Sequence, residues 1–425
     1  MSSLSAAPRS VAIIGASVSG LTVGLVLKKY GIQPRFFELR DPDYYFGGSI
    51  SLTPNGLRVL DSIGVYDRIK SQGYDFEAIT FLTDPEYDET GKLYFGHKDT
   101  YGYDGMRVTR ELLNRELKAA AIEAGIEIDY SKKFTKVVSE DDGVEFEFAE
   151  GTREKAEMLI GADGIHSKVR SYLYPGMQPE YAGHLAITYH FPSTLLPIDE
   201  HLPLPLSLRG SQGSFIISPQ AKNGSELLIG RQLKYENKDR AGWDTLTKDS
   251  QALIDIIQED PEAWSPLIQA AQKLVTSPET EVLHLWPFYT VPRMDRWHSP
   301  GGRAMIIGDA AHAVPPPAGQ GANQALEDGY GLGVLLANIV NTKISLLDAL
   351  TAWEAYRMKR MERVLHLTNR VMTLRMTEEE RLSMPETMRF DIDGSDAGKS
   401  ELKWLYTVDI DRDVKDLVKT LSVQP

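Results

Sequence analysis

The chain has 425 residues, enough for two or three domains and a sizeable core. It is 42% hydrophobic and 25% charged, the balance of a soluble globular protein, and 46 basic residues against 60 acidic ones leave a net charge of −14. That charge argues against nucleic acid or an anionic membrane as the main partner. The absence of cysteine rules out a disulfide framework, a thiolate metal site and a thiol nucleophile, and no metal site is expected. The first ten residues carry no apolar core of a secretory leader, and no apolar run approaches the roughly 20 residues of a membrane span. A soluble, cytoplasmic protein is expected.

In chain order, Val11-Ala-Ile-Ile14 is a continuous apolar run, the pattern of a strand buried on both faces of a parallel sheet. It enters the turn Gly15-Ala-Ser-Val-Ser-Gly20, and Leu21 to Tyr30 then reads as a helix closed by Gly31. Arg35-Phe-Phe-Glu-Leu39 is a second strand, which completes a strand–turn–helix–strand unit. A helix is expected over Pro54–Gly64, and another from a Thr109 cap to about Ala124. Phe134–Val138 and Val144–Phe148 alternate around Asp141-Asp-Gly143, a hairpin signal, and Glu157–Ile160 reads as a strand. Residues 176–280 are richer in proline, with strands at Leu185–His190, Ser214–Ser218 and Glu226–Ile229 and a helix near Asp249–Gln258. Ala304–Ile307 is a short buried strand, Gly321–Val340 a long helix, and residues 346–425 mainly helical and charged.

Three motifs carry chemistry. In the first, Gly15 to Gly20 follows a strand and opens a helix, and Glu38 ends the next strand. Glycines there let backbone N–H groups approach a pyrophosphate, the helix N-terminus adds positive potential, and the acid accepts ribose hydroxyls. Ser17 replaces the usual middle glycine of this dinucleotide turn; with Ser19 it can donate to a phosphate. The second motif is Gly161-Ala-Asp163-Gly164-Ile-His-Ser167-Lys-Val-Arg170, again after an apolar strand. The third is Gly308-Asp309-Ala-Ala-His312-Ala-Val-Pro-Pro316-Pro-Ala-Gly319-Gln-Gly321-Ala322-Asn323. A strand ends in Gly-Asp, three prolines stiffen a loop, and a Gly-Gln-Gly turn opens a helix whose N-terminus is suited to negative charge.

Together the motifs resemble those of the single-component (group A) flavoprotein monooxygenases related to para-hydroxybenzoate hydroxylase and salicylate hydroxylase. The resemblance covers roughly residues 8–345 and extends to Trp404-Leu-Tyr406. It implies non-covalent FAD, bound through Gly15, Ser17, Ser19, Gly20 and Glu38 in the first motif and Asp163 in the second. Gly308, Asp309, Pro316, Gly319, Gly321, Ala322 and Asn323 would meet it from the third. Arg110 matches the arginine the family places near the FAD pyrophosphate, and Ser49 and Ile50 lie where the family's chain passes the flavin. His312 is either part of that site or a brace for its loop. The resemblance further implies NADPH or NADH as a transient co-substrate, since no second dinucleotide unit is present, and O₂ as oxidant through a flavin C4a-hydroperoxide. One oxygen atom would enter a small aromatic or polycyclic substrate, by hydroxylation foremost, with epoxidation or Baeyer–Villiger insertion as variants. The alternative is a non-oxygenating FAD reductase or dehydrogenase on the same scaffold. A role in secondary metabolism or catabolism is implied, as a monomer or homodimer.

The expected fold is α/β. A Rossmann-like FAD-binding domain (8–75, 106–175 and 281–345) carries an inserted, mostly antiparallel substrate-binding layer (76–105 and 176–280) and a C-terminal helical segment (346–425). No catalytic base is identified. Tyr189, His190 and Arg209 are candidates only by location on the inserted strands, where Tyr and His are more often packing residues, and the same holds for Tyr101 and Tyr103. Trp286, Phe288 and Tyr289 either wall a substrate cavity or belong to the core.

Overall fold

The computed structural model describes residues 7–44, 47–280, 283–390 and 396–423. Two main sheets organise it. The first has five parallel strands in the order Ala304–Ile306, Met158–Gly161, Ser10–Ile14, Gln33–Phe37, Glu127–Asp129. Its central strands are apolar on both faces because helices cover both sides; Met158, Leu159 and Ile160 are fully buried. Helix α1 (Val18–Lys29) follows the central strand, and the turn before it is capped by Ser17. Helix α2 (Arg110–Glu123) starts at Thr109, whose hydroxyl accepts from Leu112 N at 3.1 Å, as the sequence predicts.

The second sheet has seven strands: His284–Thr290, Glu180–Pro192, Glu226–Lys234, Gly213–Pro219, Leu206–Gly210, Ala78–Thr83 and Glu89–Tyr94. Its pairings are antiparallel except that Leu206–Gly210 runs parallel to Ala78–Thr83. Strand His284–Thr290 lies within the range expected to continue the Rossmann-like layer, yet it forms an edge of this sheet by pairing with Glu180–Pro192. The expected boundary at 281 itself lies outside the described residues. One face of the sheet (Leu185, Ile187, Tyr189, Leu208, Phe215, Ile217, Ile229) packs under the helices Arg240–Lys248, Ser250–Ile257 and Pro266–Leu274 as a second core. Because strand side chains alternate, the neighbouring residues Ala186, Thr188, Ile216, Leu228, Gly230 and Gln232 face the other way, into a cavity.

A small sheet, Ser49–Leu52, Gly105–Thr109 and Tyr74–Phe76, bridges the two layers. The long helix α3 (Gly321–Ile339) runs against α1, and α4 (Leu346–Met372) crosses behind it. Within the stretch read as a proline loop, the chain forms two short pieces, a turn of helix at Asp309–His312 and a 3₁₀ turn at Pro316–Ala318.

Candidate functional site

The cavity, about 370 Å³, lies where the strands ending at Ile14, Gly161 and Ile306 release their chains toward the seven-stranded sheet. That is the end of a parallel sheet at which α/β folds hold ligands. Residues from all three motifs line it: Ser17 and Ser19, Ala162 and Gly164, then Asp309, Pro316, Gly319, Gly321 and Ala322. Ser49, Ile50 and Arg110 join them, and the far side is the apolar sheet face with Ile79, Phe95, Trp286 and Phe288.

The first turn is held by close approach. Gly15 has φ +100°, and a Cβ there would sit 2.5 Å from Ala162 O. Ser17, in place of the middle glycine, caps α1 and donates to Ala162 O at 2.9 Å, tying the first motif to the second. Glu38 does not line the cavity; its carboxylate accepts from Ala16 N at 2.7 Å and Arg40 N at 2.8 Å, which fixes the turn from behind. Asp163 likewise accepts from Ser167 Oγ (2.5 Å) and Lys168 N (2.7 Å) and so caps the helix Lys168–Leu173.

In the third motif, Asp309 is open to the cavity, and desolvation by the surrounding walls pushes its carboxyl pKa up against the opposing pull of His312 and Arg110. Helix α3 begins beside it with no side-chain cap, so the first-turn N–H groups at Gly321 and Ala322 are left for a ligand. Asn323 does not reach the cavity. Its amide accepts from Thr53 N (3.0 Å) and donates to Ser51 O (3.0 Å) and Gly319 O (2.6 Å), so it braces the turn that does. His312 is also a brace: its Nε2 meets Asp328 Oδ2 at 2.5 Å, and its ring packs on Trp297. Arg110 is desolvated, which lowers its pKa; its Nε has no hydrogen-bond partner, and its guanidinium lies 5.1 Å from the Trp286 ring centroid.

Of the catalytic candidates, none lines the cavity. Tyr189 points into the second core and donates to Ala271 O at 2.8 Å, because odd-numbered positions of its strand face away from the site. Arg209 is on the cavity side of its sheet but ion-pairs with Glu378 at 2.8 Å. His190 is buried near Arg107 with Nε2 unpartnered; burial, then Arg107 and His284, bring its pKa down to about 4, which leaves it neutral. Tyr101 donates to Lys399 O and Tyr103 to Asp61, both away from the site. Trp286 and Phe288 do wall the cavity, whereas Tyr289 packs on Tyr181.

Sequence reasoning missed Arg107, Asn114, Gln232 and Arg375, all of which line the cavity. Arg107 was legible in principle, as a charge within the otherwise uncharged strand Gly105–Thr109, two residues before Thr109 and three before Arg110. Arg375 gave no such signal, since it follows the end of α4 in a charged stretch.

A family model described as "FAD binding domain" matches residues 9–368. The chain belongs to that FAD-binding family. Among relatives, it is 28% identical to the 3-amino-4-hydroxybenzoate 2-monooxygenase PtmB3 of Streptomyces platensis, over 83% of this chain and 85% of the relative. It is 26% identical to a salicylate hydroxylase of Pseudomonas putida, over 96% and 94%. Of solved structures, CtdE in complex with FAD and substrate superposes with a TM-score of 0.78 over 97% of this chain and 98% of that one, at 19% identity. The chain is an FAD-dependent monooxygenase of this family. Its own residues fit FAD: a turn that only glycine allows, a helix N-terminus without a side-chain cap on the cavity, and Arg110 with an unpartnered buried Nε on the same cavity. In this FAD-binding family member the two layers meet at one cavity, with residues of the three motifs on one side and the seven-stranded sheet on the other.

Proposed function

We propose that the enzyme uses NAD(P)H and O₂ to hydroxylate a small aromatic substrate lying between the third motif and the seven-stranded sheet. The single observation that carries this is the shared cavity, with nucleotide-binding turns on one wall and an apolar, aromatic wall opposite. In this reading Gly15, Ser17, Ser19 and Gly20 hold the pyrophosphate with Arg110. Glu38 and Asp163 fix the turns, Asp309 meets the ribityl chain, and Ser49, Ile50, Pro316, Gly319, Gly321 and Ala322 surround the ring. Gly308 and Asn323 set the shape of that loop. Bound there, FAD supplies the two-electron path from NAD(P)H to O₂ that insertion of one oxygen requires.

The chain contributes position, dryness and charge. The uncapped start of α3 and the Arg110 guanidinium supply positive potential where negative charge gathers on reduction. The 3₁₀ turn Pro316–Ala318 holds that wall stiff, and Trp286 is fixed by its Nε1 donating to Thr188 Oγ1 at 3.1 Å. Ile79, Ile216 and Leu228 keep water out of the substrate side. The parallel sheet with 8–75 and 106–175 forms the FAD-binding body in this reading, and the seven-stranded sheet the substrate layer. The relatives' substrates, 3-amino-4-hydroxybenzoate and salicylate, are aromatic acids of a size this cavity suits. The enzyme is taken as cytoplasmic and as a monomer or homodimer, which light scattering on purified protein checks; among the described residues no helix is long and apolar enough to cross a membrane.

The deciding experiment screens hydroxylated and amino-substituted aromatic acids for acceleration of NAD(P)H bleaching of the bound flavin, then analyses products formed under ¹⁸O₂. The expected result is a product heavier by one ¹⁸O atom. Stoichiometric hydrogen peroxide with unchanged aromatic compound across the screen favours the reductase reading and sinks this one.

A further inference from the structure

Arginine is rarely buried without a carboxylate, because a desolvated guanidinium in a low dielectric is costly. This chain follows that rule almost throughout. Arg209 pairs with Glu378, Arg231 with Glu259, Arg357 with Glu327 and Asp328, and Arg360 with Glu327. Arg170 feels Asp163, and Arg110 feels Asp309.

Arg107 and Arg375 break the rule. Among the described residues, no Asp or Glu ion-pairs with either. Arg107 is 7% exposed, and its one hydrogen bond is NH1 to Ser51 Oγ at 3.2 Å. Arg375 donates to Gln232 Oε1 at 3.0 Å and to Pro317 O at 3.4 Å, all neutral acceptors. The Nε of each is buried and unpartnered. Arg375 is half-buried as a whole. Desolvation brings it down to about 10, and burial together with the nearby charge of Arg375 brings Arg107 down to about 10. His190 beside Arg107 is neutral and adds no negative charge. Two like charges therefore line one cavity with no carboxylate among the described residues paired to either.

Both side chains line the cavity, and they reach it from separate elements: Arg107 from the bridging sheet, Arg375 from the turn after α4. Gln232 holds Arg375 from the seven-stranded sheet, and Pro317 holds it from the third motif, so both layers aim this guanidinium. Asp309, the acid on the cavity wall, feels the charges of His312 and Arg110, and it has no such effect on Arg107 or Arg375. A guanidinium matches a planar oxyanion in shape as well as charge.

We propose that Arg107 and Arg375 form an oxyanion-binding clamp that selects aromatic substrates carrying a carboxylate or an ionised ring hydroxyl. The ligand's charge completes an ion cluster that the folded chain leaves unbalanced. The clamp makes these two arginines specificity-determining residues, and it rests on the reading of the cavity as a flavin and substrate site.

The test titrates purified holoenzyme with salicylate, with salicylamide as its uncharged partner at the carboxyl position, and with sodium thiocyanate as an inorganic anion. Binding is read from the flavin absorbance and from tryptophan fluorescence. Wild type is expected to bind salicylate at least about tenfold more tightly than salicylamide and to respond saturably to thiocyanate. Salicylamide titrated at pH values on either side of its phenol pKa separates the two sources of oxyanion: tightening only above that pKa assigns the clamp to an ionised hydroxyl. Arg107→Met and Arg375→Met should each cut anion affinity at least about tenfold with flavin retained, and Arg375→Lys should recover part of it. Melting temperatures of the ligand-free Met variants should not fall, since each removes an unbalanced charge. A variant that melts lower yet binds anions as wild type does marks that arginine as structural and overturns the proposal. So does a wild type that shows no saturable response to any of the three probes, or an acid preference that survives in both Met variants. Failure of the cofactor reading looks different: the protein would purify colourless, and the fluorescence titration would still decide the clamp.

Discussion

Gly319 sits at φ +61°, and a Cβ on it would lie 2.4 Å from the Phe95 ring. Alanine there meets a left-handed backbone costing about 1–2 kcal/mol and an aromatic wall it must displace. Gly319→Ala is therefore expected to raise the FAD dissociation constant at least about tenfold while far-UV circular dichroism stays the same; unchanged flavin affinity would remove Gly319 from the cofactor wall. The glycine was legible as part of a motif, but the reason for it was not, because Phe95 is over 200 residues away in sequence. His190 poses the opposite problem. Its location on an inserted strand made it a catalytic candidate, yet burial and Arg107 bring its pKa from 6.5 to about 4. Between those values the unfolded chain binds a proton that the folded chain refuses, so stability falls as pH drops through that window and is unaffected above it. The full penalty is about 3 kcal/mol by linkage. Urea unfolding at pH 7 and pH 5 should show a smaller acid loss in His190→Gln than in wild type, and equal losses would show that His190 is not desolvated.

At the scale of elements, the site depends on how α3 is anchored. Glu327 and Asp328, both fully buried, meet Arg357 and Arg360 of α4 at 2.6–2.8 Å. Burial alone would raise the Asp328 pKa, but His312 and Arg357 outweigh it and hold it at about 2. The same carboxylate accepts from Gly308 N at 2.8 Å, so the ion cluster sets the first residue of the third motif. On the other side Asn55 donates to Glu327, and Gln320 joins Thr53 to Gln324, which ties the start of α3 to the strand passing the cavity. Removing one member leaves charge buried without a partner, at a cost of about 3–5 kcal/mol. Arg357→Met should lose stability on that scale by denaturant unfolding, and should release FAD before global unfolding. A loss below about 1 kcal/mol would mean the cluster is not what positions the helix. The strand–turn–helix elements were readable because their apolar runs and caps are local. The cluster was not: Glu327 and Arg357 are thirty residues apart, and a charged pair on a helix reads as a solvated face until packing shows otherwise. Strand parity defeated the Tyr189 expectation in a similar way, since position on a strand does not say which face becomes cavity.

At the scale of the whole chain, the family match ends at residue 368, but the core does not. Phe390, Leu402, Leu405, Tyr406, Ile410, Val414 and Val418 are all buried in the main core. The tail also completes hydrogen bonds across the molecule: Tyr406 Oη donates to Tyr94 O at 2.6 Å, Arg58 donates to Tyr406 O at 2.8 Å, and Arg360 reaches Leu405 O at 2.8 Å. Arg360 thus joins the tail to the ion cluster behind α3, and through it to the third motif. The Trp404-Leu-Tyr406 resemblance pointed at this segment from the sequence, although the charged helices around it gave no sign of how deeply it packs. Burying the six apolar side chains from Leu402 onward contributes about 10 kcal/mol, within the 5–15 kcal/mol by which a whole domain is stable. A chain ending at residue 400 is therefore expected to be insoluble, or soluble without FAD and with a cooperative melting transition lost. Supplying the missing 25-residue segment as a peptide should not restore it at micromolar concentration, because an ordered tail must also recover its backbone entropy. A soluble, yellow truncated protein that melts as the full chain does would show that the tail merely decorates the fold and that Arg360 has partners enough without it.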